Sequence, residues 1–331
     1  MANMRFVQLT ALASASTLVL SSVGATLQED FSANPALSGW RVFGNTNLFA
    51  WDQTNQSLRV TWDSSQTNSY FHHALGTILT KEDDFELEFD LRILDIATNT
   101  KSGPFQIAIS LLNIAQATST NLERGTGVDA VHGPRDIVEF DYFPAGYYAG
   151  FGDVAPSISP TIVSSENVFA SGFDLLELTT NDLYHIVLTY SASNQILHTE
   201  ITSNSLPFGP VADVSLGTNF SDFRVDTFAI SSYSDFGDDY DSVLAHGVID
   251  NVLVTLPPPP VDRISISLGS NSWLVGFSTQ TNWLYTLERT KDLQVWTAVS
   301  SSILGTGKDL ILQDTNPPQP MAFYRVGAQK P

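Results

Sequence analysis

The sequence predicts an all-β protein made of a large antiparallel jelly-roll sandwich followed by a small Ig-like β-sandwich. Short runs such as Phe85–Arg92 alternate apolar and polar residues, and this period of two is typical of strands with one buried face. No long segment repeats apolar residues at helical spacing. A run of four prolines, Pro257–Pro260, separates a long group of alternating runs from a short group.

The first 25 residues predict a secretory signal peptide. Arg5 is the only charged side chain among the first 28 residues, and the apolar stretch Phe6–Leu20 follows it. Val23, Gly24 and Ala25 then match a small-residue cleavage site. A membrane anchor is the alternative, but the stretch is short and polar for spanning a bilayer. We therefore expect the protein to be secreted or held at the cell surface, without membrane insertion of the mature chain.

Residues 26–256 contain enough alternating runs for one large jelly-roll domain. The run Phe105–Leu112 is nearly all apolar, so we expect this strand to be covered on both faces. The predicted strands are Ser57–Trp62, Phe85–Arg92, Phe105–Leu112, His185–Tyr190, Ile196–Ile201 and Val248–Val254.

Residues 257–262 predict a stiff linker, because prolines cannot donate ladder hydrogen bonds and favour an extended polyproline conformation. The alternating pattern restarts in residues 263–331, which predict the small β-sandwich. Its segments Tyr285–Arg289, Leu293–Trp296 and Phe323–Val326 resemble a small module common at the C-termini of exported proteins of environmental bacteria. This resemblance implies a spacer or attachment role.

Charge and composition exclude several classes of partner and site. Asp and Glu total 35 against 15 Lys and Arg, for a formal net charge of −20. Such a charge repels nucleic acid and anionic membrane surfaces, so we expect neither as a partner. The absence of cysteine excludes disulfides, zinc–thiolate sites and thiol nucleophiles.

The segment Asp136–Pro144 is the most informative for function. On a strand, Glu139 and Asp141 project from one face, whereas Asp136 is out of phase with them. Two adjacent carboxylates repel each other, so a cation, an arginine or a shared proton should compensate. A purely structural acidic pair bridged by Arg124 or Arg135 is an alternative to a ligand site.

This segment resembles two branches of the concanavalin A-like lectin and glucanase superfamily. In family 16 glycoside hydrolases the motif is Glu-x-Asp-x-Glu or Glu-x-Asp-x-x-Glu, whose outer glutamates are nucleophile and acid/base. Glu139 and Asp141 match its first half, but Phe143 or Pro144 stands where the acid/base glutamate is needed. Retaining hydrolysis requires that second carboxyl group, so we assign no catalytic residue.

In L-type lectins a Glu-x-Asp on a strand binds a transition metal and calcium together. The resemblance therefore implies Glu139, Asp141 and Asp153 as metal ligands. Ala145 stands where a calcium-ligating Asn is expected, and no His soon follows Asp153, so the complete double-metal site is not matched. A single calcium ion, held by Asp141, Asp153 and backbone oxygens, is the cofactor that this resemblance suggests.

Two loops complete the set of candidates. Tyr147, Tyr148 and Phe151 lie among glycines after the acidic pair, where aromatic rings suit stacking on sugars, although burial under the loop is an equal alternative. The run Asp235–Asp241 places Asp235, Asp238 and Asp239 close together as a second calcium candidate, with a solvated acidic turn as the alternative. The full ligand-binding set is Glu139, Asp141, Tyr142, Tyr147, Tyr148, Phe151 and Arg124.

The function expected from these features is non-catalytic binding of a polysaccharide or glycan, assisted by calcium. A glycan-active enzyme, either a family 16-like hydrolase or a polysaccharide lyase, is the alternative. Residues of the types that lyases use are Arg124, Arg135, His72, Gln106 and Tyr142. A structural protein of the cell surface or matrix is the third possibility.

Overall fold

The computed structural model describes residues 26–97, 106–119, 122, 133–148, 152–234, 243–257, 261–269, 272–281, 283–318 and 322–329. The side chains of residues 146–148, 152–154 and 262 lie outside this description. Two compact units are present, a large unit of residues 26–256 and a small unit that begins at Pro257. In the described part of the chain, no helix is long and apolar enough to cross a membrane.

The large unit consists almost entirely of strands. Its strands in chain order are β1 (Thr26–Glu29), β2 (Arg41–Phe43), β3 (Phe49–Asp52), β4 (Ser57–Asp63), β5 (Ser69–Leu79), β6 (Phe85–Ala97), β7 (Ile107–Leu112), β8 (Ile137–Phe143), β9 (Gly146–Tyr148), β10 (Gly152–Val154), β11 (Ser157–Ile158), β12 (Thr161–Val163), β13 (Phe169–Ser171), β14 (Tyr184–Ser191), β15 (Ile196–Ser203), β16 (Leu206–Phe208), β17 (Val214–Ser215), β18 (Val225–Ser232) and β19 (Leu244–Thr255). One turn of α-helix, α1 (Ile114–Ala117), and two 3-10 turns, Pro35–Leu37 and Thr46–Leu48, complete it.

Two antiparallel sheets form the jelly roll. The first sheet has the order β16-β15-β14-β6-β19-β4-β3, with β1 beside β19 and β17 beside β15. The second sheet has the order β13-β12-β8-β7-β18-β5-β2, with β11 beside β8. The prediction of an all-β, antiparallel jelly roll is confirmed.

Alternation along each strand builds the core between the two sheets. Phe85, Leu87, Phe89 and Leu91 of β6 are buried, and the charged residues between them are more exposed. Phe89 contacts Phe140 of β8 across the sandwich, with ring centroids 5.7 Å apart. All six residues of β7 are buried, as the apolar run predicts for a central strand covered on both faces.

The start of β8 is fixed by Asp136, which has a left-handed backbone conformation with a φ of 55°. Its Oδ1 accepts hydrogen bonds from the backbone N–H of Arg224 at 2.8 Å and from the Ser165 hydroxyl at 2.5 Å. Burial raises the pKa of Asp136, although both hydrogen bonds oppose that shift. This one carboxylate therefore joins the turn before β8 to the residue that precedes β18 and to the loop after β12.

Charged residues are concentrated on the outer face of the first sheet, which carries Glu86, Glu88 and Asp90 from β6. Histidines on this face lie close to acids of neighbouring segments. His185 Nδ1 lies 2.8 Å from Asp90 Oδ1, and His198 Nδ1 lies 2.6 Å from Asp213 Oδ1. Many of the acids are thus on a face turned away from the second sheet.

The small unit has two sheets around one core. Its strands are β20 (Val261–Leu268), β21 (Trp273–Thr279), β22 (Leu284–Thr290), β23 (Thr297–Ala298), β24 (Ile303–Leu304), β25 (Asp309–Asp314) and β26 (Phe323–Gln329). One sheet has the order β20-β21-β25, and the other has β23-β22-β24 with β26 beside β22. The rings of Phe277 and Tyr285 meet between the two sheets, with centroids 5.3 Å apart. The proposed spacer residues 258–260 lie outside the described residues.

We predict that Asp136→Ala destabilises the large unit by about 3 kcal/mol, because the variant loses a buried acceptor and tolerates the left-handed conformation poorly. Asp136→Asn is the matched control, since asparagine keeps an acceptor oxygen and tolerates this conformation. Urea unfolding followed by tryptophan fluorescence measures both variants. Equal losses in the two variants would contradict this role of the Oδ1 acceptor.

We predict that stabilisation by His198 depends on pH. Hydrogen bonding to Asp213, which outweighs the opposing effect of burial, raises the pKa of His198 above 6.5, and Glu200 adds to the shift. A raised folded-state pKa means that the stabilisation is complete below the unfolded-state pKa and is lost as pH rises through the folded-state value. The melting-temperature difference between wild type and His198→Gln should therefore be larger at about pH 5.5 than at about pH 8.5. A difference that stays constant across this range would refute the linkage.

Candidate functional site

The acidic pair lies on the outer face of the second sheet. Because Phe140 faces the core, the alternation of β8 directs Glu139 and Asp141 to the opposite face. Both are almost completely buried, with 0% and 1% of their surface exposed. The acidic pair therefore does not line an open cleft.

Strand pairing places small residues beside the acids. On β7, Ser110 lies directly across from Glu139, and Ala108 lies across from Asp141. On β18, Ala229 lies across from Ser110, and Ser231 lies across from Ala108. These four small residues of β7 and β18 form a low floor on the outer face, between the acids of β8 and the larger side chains of β5.

Two tyrosines border this floor. Tyr233 follows β18 directly, and its hydroxyl donates a hydrogen bond to Glu139 Oε1 at 2.7 Å. The Tyr70 ring of β5 makes an edge contact with the Tyr233 ring, with centroids 5.9 Å apart, and its hydroxyl donates to the Ala117 carbonyl. Glu139 thus receives a short hydrogen bond from a residue 94 positions away in the sequence.

The floor also contains polar atoms that have no partner within the described part of the chain. The hydroxyl oxygens of Ser110 and Ser231 are buried, and neither makes a hydrogen bond there. A buried hydroxyl without a partner costs about 1–3 kcal/mol, so a bound polar group would stabilise this position. Hydroxyls beside carboxylates can both donate to and accept from such a group.

The same face becomes accessible at its β2 edge. Phe43 is 39% exposed and stacks on Tyr70, with ring centroids 5.9 Å apart. Arg41 is exposed and lies directly across from the half-buried His72. Burial lowers the pKa of His72, the neighbouring charges of His73 and Arg41 lower it further, and Asp226 opposes the shift.

The structure brings only part of the predicted site together. Glu139 and Asp141 share one face, whereas Tyr142 faces the core, where its hydroxyl accepts a hydrogen bond from the Leu178 N–H at 3.3 Å. Burial raises the pKa of Tyr142 to about 12. The side chain of Arg135 donates to the Ser165 carbonyl at 3.4 Å.

For the remaining predicted residues the structure describes at most the backbone. The backbones of Tyr147, Tyr148 and Asp153 belong to the hairpin β9–β10, in which Asp153 lies across from Tyr147. Their side chains lie outside the described residues, as do Arg124, Phe151, Asp235, Asp238 and Asp239 entirely. These assignments stay predictions.

The described residues do not by themselves complete a calcium shell. Calcium takes six to eight oxygen ligands, and Tyr233 already donates to one oxygen of Glu139. Among the residues with described side chains, no group of three or more His, Asp or Glu is arranged to hold a metal ion.

Several site residues were not predicted from the sequence, namely Phe43, Tyr70, Ser110, Ser231 and Tyr233. Ser110 and Ala108 are two positions apart on the predicted strand Phe105–Leu112 and so share a face, which means that the small floor could have been found from the sequence. Pairing Tyr233 with Glu139 requires knowledge of the strand order, which no local pattern contains.

No protein-family model matches the chain, and no curated protein matches its sequence. Several solved structures align with the chain at low identity and with TM-scores below 0.5. Lectin II from Ulex europaeus is 11% identical with a TM-score of 0.45, and the alignment covers 66% of this chain and 93% of the lectin. The winged bean acidic lectin, complexed with methyl-α-D-galactose, is 11% identical with a TM-score of 0.46, covering 71% of this chain and 100% of the lectin. The lectin from Bauhinia forficata, in complex with GalNAc, is 13% identical with a TM-score of 0.45, covering 72% and 99%.

We predict an energetic coupling between Tyr233 and Glu139. Tyr233→Phe should lower the free energy of unfolding by about 1–2 kcal/mol, because Glu139 loses a buried donor. Combined with Glu139→Gln, it should show a coupling energy above about 0.5 kcal/mol in a double-mutant cycle.

Tyr190→Phe is the matched control for this cycle. Tyr190 is equally buried, but its hydroxyl donates to the Lys81 carbonyl. Its effect should add to that of Glu139→Gln without coupling, because the two residues share no partner. Additive effects of Tyr233→Phe and Glu139→Gln would show that the hydrogen bond contributes nothing to stability.

Proposed function

We propose that the protein is an exported, non-catalytic carbohydrate-binding protein that binds its ligand on the outer face of the second sheet. One observation carries the proposal: an accessible aromatic ring, Phe43, lies on the same face as carboxylates and hydroxyls of neighbouring strands. A sugar presents an apolar ring face beside hydroxyl groups, so this combination is complementary to it.

The proposal places direct contact with the ligand at the exposed β2 edge. Glu139, Asp141, Ser110 and Ser231 of the polar floor are buried, with at most 1% of their surface exposed. Carboxylates accept hydrogen bonds, and serine hydroxyls both donate and accept. The floor therefore supplies polar groups behind the edge, and stacking on the sugar falls to Phe43.

The composition of β8 favours binding over hydrolysis. Phe143 is the last residue of β8 and Pro144 follows it, and neither side chain can donate a proton to a leaving group. A retaining glycosidase needs two carboxyl groups about 5–5.5 Å apart, one of which protonates the leaving oxygen. Glu139 accepts its hydrogen bond from Tyr233 and is buried, which suits a structural or binding role better than nucleophilic attack.

The proposal includes export and assistance by calcium, both of which are predicted from the sequence alone. The signal-peptide pattern of residues 1–25 supports export. Melting the purified protein with added calcium and with a chelator tests for a bound ion, because a ligand specific for the folded state raises the midpoint according to its affinity and concentration.

We predict measurable binding to at least one polysaccharide of a neutral and anionic panel, without release of reducing ends or unsaturated products. Phe43→Ala should weaken that binding by about 5-fold or more, since it removes the accessible stacking ring. Affinity electrophoresis screens the panel, and calorimetry measures the best ligand.

The control variant is Phe169→Ala. Phe169 is 49% exposed on β13, at the opposite edge of the same sheet, so its removal changes a similar surface away from the Phe43 edge. If the protein released products from any polysaccharide, the proposal of non-catalytic binding would be wrong and the enzymatic alternative would be supported. Absence of binding across the panel, with and without calcium, would leave the structural-protein alternative.

A further inference from the structure

The β2 edge of the second sheet carries an exposed positive charge, Arg41, next to an exposed aromatic ring, Phe43. The formal net charge is −20, yet no carboxylate in the described part of the chain forms a salt bridge with Arg41. The three salt-bridged histidines of the large unit, His185, His198 and His246, pair with acids outside the second sheet. Among the described residues, no salt bridge competes with a ligand for the Arg41 guanidinium.

Arg41 is held in place but keeps donors available. Its Nη1 donates to the Trp40 carbonyl at 2.7 Å and to the Ala36 carbonyl at 3.2 Å. A guanidinium carries five N–H donors, so the Nε and Nη2 groups stay available for a ligand. Fixing one nitrogen reduces the conformational entropy that a flexible arginine loses on binding.

The spacing between Arg41 and Phe43 suits one sugar unit. The two residues are separated by one position on β2 and face the same side, so their Cα atoms are about 7 Å apart. Phe43 offers a ring face for stacking, and Arg41 offers a planar fork that matches a carboxylate. His72, directly across from Arg41, adds a ring nitrogen to the same position.

We propose that the ligand of this face is an acidic glycan, and that Arg41 binds the carboxylate of a uronate whose ring stacks on Phe43. This assignment rests on the proposed carbohydrate-binding function and adds the charge class of the sugar. His72 contributes a hydrogen bond from its imidazole. Asp226 is the acid that opposes the lowering of the His72 pKa by burial, His73 and Arg41.

The overall negative charge does not oppose this contact strongly. Many of the acids lie on the outer face of the first sheet, including Glu88 and Asp90. At physiological ionic strength the Debye length is about 8 Å, and the two stacked sheets are themselves about 10 Å apart. The acids on the outer face of the first sheet therefore affect a carboxylate bound beside Arg41 only weakly.

The test compares acidic glycans with neutral versions of the same chains. The probes are oligogalacturonate, oligoalginate and hyaluronate fragments, each with a counterpart in which the carboxyl groups are chemically reduced to alcohols. Wild type should bind an acidic probe at least about 10-fold more tightly than its reduced counterpart, as the loss of a charge-assisted hydrogen bond predicts. Dextran sulfate and dextran form a second pair that separates carboxylate from sulfate recognition.

Arg41→Gln should weaken binding of the acidic probe by about 10-fold or more and leave the reduced probe unaffected. Arg41→Lys keeps the charge but loses the fork, so it should fall between wild type and Arg41→Gln. Arg59→Gln is the matched control, because Arg59 is an exposed arginine on β4 of the first sheet. Thermal melts establish that each variant is folded, and the NMR titration of His72 should shift to higher pH in the acidic complex.

Each outcome supports or overturns one part of the proposal. Binding of a neutral glycan that depends on Phe43 but not on Arg41 would overturn the acidic-sugar inference and leave carbohydrate binding standing. Dextran sulfate bound as tightly as the uronates, with the same dependence on Arg41, would overturn the carboxylate assignment. No binding of any probe would overturn both the inference and the proposed function.

Discussion

Phe140 of β8 packs against Phe89 of β6 in the core between the two sheets. This contact fixes which face of β8 is turned to the core, and so the direction of all its side chains. Side chains alternate strictly along a strand, so burying Phe140 directs Glu139 and Asp141 to the outer face. A slip of one residue would place both carboxylates between the sheets, where charges are costly without partners. Core packing thus selects the register, and the register positions the candidate site.

The same constraint explains the composition of the neighbouring strands. On β18, Phe228 packs toward the core against Trp40, whereas Ala229 and Ser231 alternate with it on the outer face. Large inner residues supply the buried apolar area, and the small outer residues Ala229 and Ser231 are buried as well. The Tyr233 hydroxyl donates to Glu139 on this outer face, which compensates part of the cost of burying the Glu139 side chain.

The sequence was sufficient for the strands but not for their pairing. Alternation in Phe85–Arg92 predicted β6, and the spacing of Glu139 and Asp141 predicted that they share a face. Alternation does not say which of two faces meets the core, so Tyr142 was grouped with the acids although it faces the other way. Tyr233 could not be assigned because its contact with Glu139 depends on the non-local order β8-β7-β18.

Residues at the edge of a sheet are the hardest to assign from sequence, and Arg41 shows why. The strand β2 has only three residues, too short for a convincing period, and an exposed arginine is an ordinary surface residue. Its significance comes from its surroundings: Phe43 stacked on Tyr70, His72 directly across, and no salt-bridged acid among the described residues. Two backbone carbonyls hold Arg41 Nη1, and its remaining guanidinium donors suit a carboxylate supplied by a ligand.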